Sequence, residues 1–414
     1  MINHMPMSVY VHVPFCVRRC GYCDFNTYTP RELGGAVSQA DYADQVIAEI
    51  ELAARYLAGE DVPVGAGEPD VILRGGSVAN GIAESRLPSG VPTVFFGGGT
   101  PTMLPSADLV KILRAIHNTW GLMPDAEVTT EANPDSVTKE SIKELANGGF
   151  SRISFGMQSA VPHVLHTLDR THNREQIPIV VNWAKEAGLK VSLDLIYGTP
   201  GESISDWQVS LEAAIATGVN HISAYALHVE PHTKMGRQIR SGQLPAPDDD
   251  DEAAKYELAD ELLTNAGLEW YEISNWAREG IAGNNACQHN MAYWRGQDWW
   301  GFGPGAHSYL RGADGQPGQR WWNVKHPAKY AQMLSERKLP IEEAETLTPE
   351  QAELEKVMLG LRLAEGLPME ALEASYRDEA ANLQLQGLLT IEGGLLKLTR
   401  RGRLLADTVV RALT

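Results

Sequence analysis

Cysteine is scarce in this chain: there are four in 414 residues, Cys16, Cys20, Cys23 and Cys287. Three of them crowd into eight residues, which excludes a secreted disulfide framework in a chain this long. Close thiols in a reducing compartment more often bind metal or do redox work. Long apolar runs are also missing. No stretch of about 18 uncharged apolar residues occurs, so no transmembrane helix is expected. Residues 1–13 lack a basic flank, a long apolar core and a cleavage site, so no signal peptide is expected and the location reads as cytoplasmic. Basic charge is short as well. Lys plus Arg is 35 against 53 Asp plus Glu, a formal net charge of −18. Such a chain repels phosphates, which argues against nucleic acid as a partner. Part of that acidity is one run, Asp248-Asp249-Asp250-Asp251-Glu252, which reads as a solvated helix start.

With 43% hydrophobic residues, the chain has enough apolar content for a sizeable globular core. Six short runs are rich in β-branched and aromatic residues and end in turn signals. They are 8–13 (SVYVHV), 93–96 (TVFF), 127–130 (EVTT), 152–155 (RISF), 190–196 (KVSLDLI) and 221–226 (HISAYA). Helical periods fill the gaps at 42–57, 109–116, 142–145, 177–187 and 207–215. Ser106 is the expected cap of the second helix, and Ser136 or Thr138 that of the third. Alternating βα units predict a parallel sheet, here an open, partial (βα)6 barrel. Residues 59–92, rich in Gly and Pro, read as a long surface insertion without assigned function. A further helix is expected at 251–266 and a strand at 268–273. Residues 276–322 are rich in Gly, Trp and His, and 388–398 (LLTIEGGLLKL) reads as a hairpin. The expected organisation is a barrel at 1–235, an α/β extension at 236–340, and a small winged-helix-like module at 341–414.

Ligands of parallel α/β folds bind at the carboxyl ends of the strands. The cysteine triplet, 97–102, Glu131, Gln158 and Asp194 all follow or end a predicted strand, and so share one rim. The spacing Cys16-x-x-x-Cys20-x-x-Cys23 offers three thiolates to a cubane iron–sulfur cluster and leaves one iron open. Arg18 and Arg19 inside the loop would offset cluster charge. A structural zinc site is the alternative, with His12 the nearest fourth ligand, although zinc knuckles favour paired cysteines.

The segment His12-Val13-Pro14-Phe15-Cys16-Val17-Arg18-Arg19-Cys20-Gly21-Tyr22-Cys23-Asp24-Phe25 resembles the signature of radical S-adenosylmethionine (SAM) proteins. More narrowly it resembles the oxygen-independent coproporphyrinogen III oxidase family. Further matches are Gly97-Gly98-Gly99-Thr100-Pro101-Thr102, Glu131-Ala132-Asn133-Pro134, Phe155-Gly156-Met157-Gln158-Ser159, Arg170-Thr171-His172 and Asp194-Leu195-Ile196-Tyr197-Gly198. The likeness runs through the terminal module. It implies a 4Fe-4S cluster on Cys16, Cys20 and Cys23, whose open iron takes the amino and carboxylate groups of SAM. It also implies that Tyr10, Gly98, Gly99, Thr100, Glu131, Gln158, Arg170 and Asp194 surround SAM.

The family holds both the oxidase, which decarboxylates propionate side chains by radical chemistry, and a paralogous heme chaperone group. The oxidase carries another Cys two positions after the triplet, where this chain has Phe25, and a longer segment before its first strand. His289-Asn290-Met291-Ala292-Tyr293-Trp294 matches the H-N-x-x-Y-W motif of the chaperones. The resemblance therefore implies heme as a third bound group, with His289 its expected iron ligand and His307 or Cys287 the alternatives. It also implies delivery to acceptors such as respiratory cytochromes, transient proximity to a membrane, and a cluster-dependent homodimer.

Overall fold

The structure is a computed structural model. It describes residues 6–34, 38–65, 88–280, 283, 285–312 and 318–414. Residues 66–87 of the expected insertion lie outside that set. Six strands form the framework: β1 (Ser8–Val13), β2 (Val91–Gly98), β3 (Leu122–Ala132), β4 (Arg152–Gln158), β5 (Lys190–Tyr197) and β6 (His221–Ala226). They pair in chain order and all in parallel, which is the expected partial barrel.

The alternation along each strand decides which face is which. Val9, Val11 and Val13 of β1, Val94 and Phe96 of β2, and Val191, Leu193 and Leu195 of β5 are buried in one apolar core. Helices Tyr42–Leu57, Ser106–Trp120, Lys139–Asn147, Gln176–Glu186 and Ile204–Ala216 pack apolar residues into that core from outside the sheet. The intervening residues, among them Tyr10, Phe95, Glu131 and Asp194, face the barrel interior. Thr138 caps its helix, its hydroxyl accepting from the Ser141 amide at 3.1 Å. Ser106 differs from expectation. It is the first helical residue after Pro105, and its hydroxyl donates to Glu144 of the next helix instead of capping its own. The acidic run opens helix Asp249–Asn265, with Asp248 accepting from the Asp251 amide at 2.9 Å.

The chain beyond β6 returns to both edges of the barrel. β7 (Leu268–Glu272) and β8 (Asn275–Arg278) add antiparallel beside β6. β9 (Trp299–Phe302) adds parallel to β1, followed antiparallel by β10 (His307–Leu310), β11 (Gln319–Asn323) and β12 (Ile341–Thr346). A single twelve-stranded sheet results. The terminal module has a separate core around Val357, Leu361, Leu383, Leu396 and Val409. It combines helices Pro349–Gly360 and Arg377–Leu385 with β13 (Leu367–Pro368), β14 (Leu389–Glu392) and β15 (Leu395–Leu398). The β14–β15 turn is Gly393-Gly394, both at positive φ, as a two-residue hairpin of this type requires. Two short helices, Arg400–Leu404 and Ala406–Ala412, close the chain. Among the described residues no helix is long and apolar enough to cross a membrane.

Candidate functional site

The barrel mouth holds a cavity of about 450 Å³. Cys16, Cys20, Cys23, Tyr10, Gly98, Gly99, Thr100, Glu131, Gln158, Arg170, Asp194 and His289 all stand in its wall. One topological rule explains most of the convergence: apart from Arg170, which follows helix Pro162–Thr167, and His289, on helix Gln288–Trp294, each residue ends a strand, lies on the loop after one, or faces inward along it.

The cysteine loop leaves β1 and is closed at its base. The Cys16 amide donates to Tyr28 O at 3.1 Å, and the Tyr28 amide to Pro14 O at 2.7 Å. Asn26 Nδ2 anchors the far side on the carbonyls of Pro304 and Lys325, both at 2.9 Å. Within this frame the three thiols are free and half-buried. Burial and the neighbouring Cys23 push the Cys16 thiol up to about 11. Gly99 is required beside it: a Cβ there would stand 2.5 Å from Phe15 O and 3.0 Å from Cys16 Sγ. The expected charge offset by Arg18 and Arg19 is not what the loop does. Arg18 pairs with Asp169 at 2.6 Å, and Arg19 bonds the Thr27 carbonyl. Arg170, 150 residues on from Cys20, takes that place, with Nη1 3.7 Å from Cys20 Sγ. Its other contacts are Gly156 O at 3.0 Å and Asn133 Oδ1.

The donor set suits a cubane better than a single ion. His12, the zinc alternative, has both ring nitrogens engaged: Nε2 on Asn26 O at 2.9 Å and Nδ1 on the Tyr10 hydroxyl at 3.0 Å. Among the described residues, no three His, Cys, Asp or Glu side chains converge on one metal position. A cubane instead takes each thiolate at a separate iron corner.

In the same wall Glu131 is half-buried, and desolvation plus the nearby Asp194 push its carboxyl up to about 8. The Gly98 amide donates to it at 3.2 Å, and φ of 110° at Gly98 turns that amide inward. Asp194 is raised by burial, opposed by hydroxyls that include Ser154 at 2.8 Å. Gln158 ends β4 at φ 59°, just after a register shift against β5, and so turns toward the cavity.

His289, the expected iron ligand, stands in the cavity wall on helix Gln288–Trp294. It is fully buried, and burial pushes it down to about 3. Thr93 Oγ1 gives its proton to Ser8 and accepts from His289 Nδ1 at 2.7 Å, so Nε2 accepts from the Tyr293 hydroxyl at 2.8 Å. Both ring nitrogens are thus engaged by protein partners. Cys287 is buried too, its thiol raised by desolvation and 3.5 Å from Glu127 Oε1. His307 is exposed on β10, stacked on Trp322 at 5.6 Å.

The profile of the Radical SAM superfamily matches residues 10–214, and that of the HemN C-terminal domain matches 347–405. The chain is 46% identical over 409 residues to the protein named heme chaperone HemW of Mycobacterium tuberculosis (H37Rv), covering 99% of this chain and 95% of that one. The chain belongs to the HemW family. The HemW of Bacillus subtilis (strain 168) is 30% identical over 415 residues, 98% of each chain. The solved structure of coproporphyrinogen III oxidase (HemN) from Escherichia coli superimposes with a TM-score of 0.76 at 23% identity, over 99% of this chain and 90% of that one. That likeness establishes a shared fold.

Sequence patterns alone had not revealed the cavity floor of this HemW-family chain. Arg152, Ser192, His221 and Ser223 line it, and Arg152 is paired with Glu127 at 3.1 Å. A usable signal was present. Reading backward by twos from Gln158 gives Gly156, Ser154 and Arg152, and from Asp194 gives Ser192, all on the inward face.

Proposed function

We propose that this chain is a heme chaperone of the radical SAM type. Cys16, Cys20 and Cys23 hold a 4Fe-4S cluster. Tyr10, Gly98, Gly99, Thr100, Glu131, Gln158, Arg170 and Asp194 hold SAM. Heme is cargo, handed to acceptor proteins. The observation that carries the reading is the joining of two things in one chain: full-length identity of 46% to a protein named as a heme chaperone, and three free thiols facing a polar barrel mouth. When bound, the cluster supplies one-electron chemistry and an open iron for SAM.

The residues divide the work by chemistry. Glycines at 98 and 99 let backbone approach a ligand that a Cβ would block. Arg170 lowers the cost of negative charge at Cys20. Glu131 and Asp194 offer acceptors for hydroxyl groups and a counter-charge for a sulfonium. Phe25, exposed on the cluster loop, brings no further thiol where the oxidases carry one. Respiratory cytochromes are the acceptors this reading favours, reached from the cytoplasm by transient contact with a membrane, with a homodimer as the cluster-dependent state. The barrel at 1–235, the extension at 236–340 and the module at 341–414 are its working units.

The test is one anaerobically reconstituted sample. About four irons per chain are expected, retained in Cys287→Ala and lost in Cys20→Ala. The wild type is expected to bind hemin and to leave coproporphyrinogen unchanged with SAM and a reductant. An intact cluster in Cys20→Ala would remove the ligand assignment. Robust protoporphyrinogen formation would make the chain an oxidase.

A further inference from the structure

A second cavity, of about 910 Å³, lies between β9 and β10 at the barrel edge and the terminal module. That volume is within the ~300–1,000 Å³ range of small-molecule and cofactor sites. The first cavity is about half as large and lined by the cysteine and SAM-side residues. Tyr293 stands in the wall of both. His289, whose Nε2 accepts from the Tyr293 hydroxyl, is thus a positioning residue for this shared partition.

The two long walls of the second cavity are apolar. On the barrel side Trp299 packs edge-on against Tyr293, with centroids 4.7 Å apart, and lies 5.1 Å from Tyr309. On the module side the wall is Met358, Leu359, Leu363 and Leu367. The rim is charged. Arg295, Arg311, Arg320 and Lys356 line it beside only two carboxylates, Glu355 and Glu365, in a protein of net charge −18. Each cation has a carboxylate neighbour. Arg295 meets Glu365 at 2.8 Å, Arg311 meets Asp298 at 3.0 Å, and Arg320 meets Glu345 and Glu355 at 2.8 Å each. Lys356 is the loosest, 3.7 Å from Glu353. Partly exposed pairs like these contribute little and exchange readily for a ligand carboxylate.

A slot with aromatic and aliphatic faces and four cations in exchangeable pairs on its rim fits a flat apolar ring that carries carboxylates on one edge. We propose that this second cavity holds the heme cargo, its disc between Trp299 and Tyr309 on one side and Met358 and Leu359 on the other, its propionates at Lys356 and Arg320. The inference rests on the heme-chaperone reading and moves the cargo away from the cavity that takes SAM. Tyrosine hydroxyls and the Met358 thioether are donors of the kinds heme iron accepts.

Hemin titration of the full-length, cluster-loaded chain tests it. Ala352→Trp puts an indole into the cavity from helix Pro349–Gly360, and is expected to raise the hemin dissociation constant at least tenfold. Iron content and SAM binding should stay at wild-type values. Lys356→Glu changes one exposed side chain, so it leaves folding intact. It is expected to weaken hemin binding several-fold, by a margin that shrinks as salt is added. Wild-type hemin affinity in both variants would overturn the location and leave the chaperone reading standing. Normal binding in Ala352→Trp together with lost binding in His289→Ala would overturn the location in the same way. A wild-type chain that binds no hemin would remove the chaperone reading and this inference together.

Discussion

Glu131 sits where burial and a neighbouring carboxylate both oppose its ionisation, and its carboxyl is pushed up to about 8. At about pH 7 the ligand-free side chain is therefore mostly protonated. A sulfonium cation in the same cavity favours the carboxylate, so binding expels the proton. SAM affinity is expected to rise with pH up to about 8, by roughly tenfold per unit at most, and then to level off. The amino group of SAM titrates as well, so the contrast with Glu131→Gln is what isolates the carboxyl. That variant should bind SAM more weakly, with a flatter profile. Anaerobic equilibrium dialysis of both proteins across this range checks it, and parallel pH profiles would refute the role given to Glu131.

Among the elements, helix Tyr42–Leu57 is tied to the β9–β11 edge by one buried acid. Glu49 accepts from the Gly303 amide at 2.9 Å and from Asn323 Nδ2 and the Tyr330 hydroxyl at 2.6 Å each. Desolvation outweighs these three donors and pushes the group up to about 7 from the ordinary 4.5. The folded chain thus holds the proton more tightly than the unfolded one. The stability this adds is full below about pH 4.5 and is lost as pH rises through about 7, on the order of 3 kcal/mol in all. Glu49→Gln cannot titrate, and its amide NH2, itself a donor, must face donors that both carboxylate oxygens accept from. It should be less stable than wild type at low pH, with the gap closing toward neutrality. Thermal unfolding of both proteins over that range decides it, and a gap that widens with pH would overturn the argument.

The elements also show what a sequence can yield. β1, β6 and helix Tyr42–Leu57 have the bounds that periodicity predicts, because each carries its own apolar spacing. β3 begins five residues earlier than expected, since Pro124 and Asp125 mask its start while pairing of Val91 with Leu122 extends the ladder. Helix Lys234–Arg240 is too short to reveal a period. The strand-end residues of the site were legible because topology alone gathers them at one rim. The engagement of His289 was not. Its partners come from β2 and from one helical turn further on, and only the packing of helix Gln288–Trp294 into the barrel brings them within reach.

At the scale of the whole molecule, the terminal module is a separate core held to the barrel by few polar contacts. The strongest is Arg403, whose two terminal nitrogens donate to the two oxygens of Asp260 at 2.8 and 2.7 Å. The guanidinium lies 4.5 Å over the Trp270 ring, and Trp276 Nε1 donates to the same carboxylate at 3.1 Å. Both side chains of this ion pair are largely buried. Arg403→Met therefore leaves a carboxylate in an apolar junction with one neutral donor and the more exposed Arg400 at 3.4 Å. Loss of one partner from such a pair costs on the order of 3 kcal/mol, whereas neutralising both costs much less. The double variant Asp260→Asn with Arg403→Met should recover much of what Arg403→Met loses. The junction is also one side of the second cavity's architecture, because the module supplies Met358 and Leu359 to its wall. Loosening it should speed hydrogen exchange across residues 347–414 and weaken hemin binding, while the iron content set by the barrel stays unchanged. Exchange that accelerates equally in the barrel strands would mean that the two cores unfold as one, and that the Arg403–Asp260 pair is not the hinge between them.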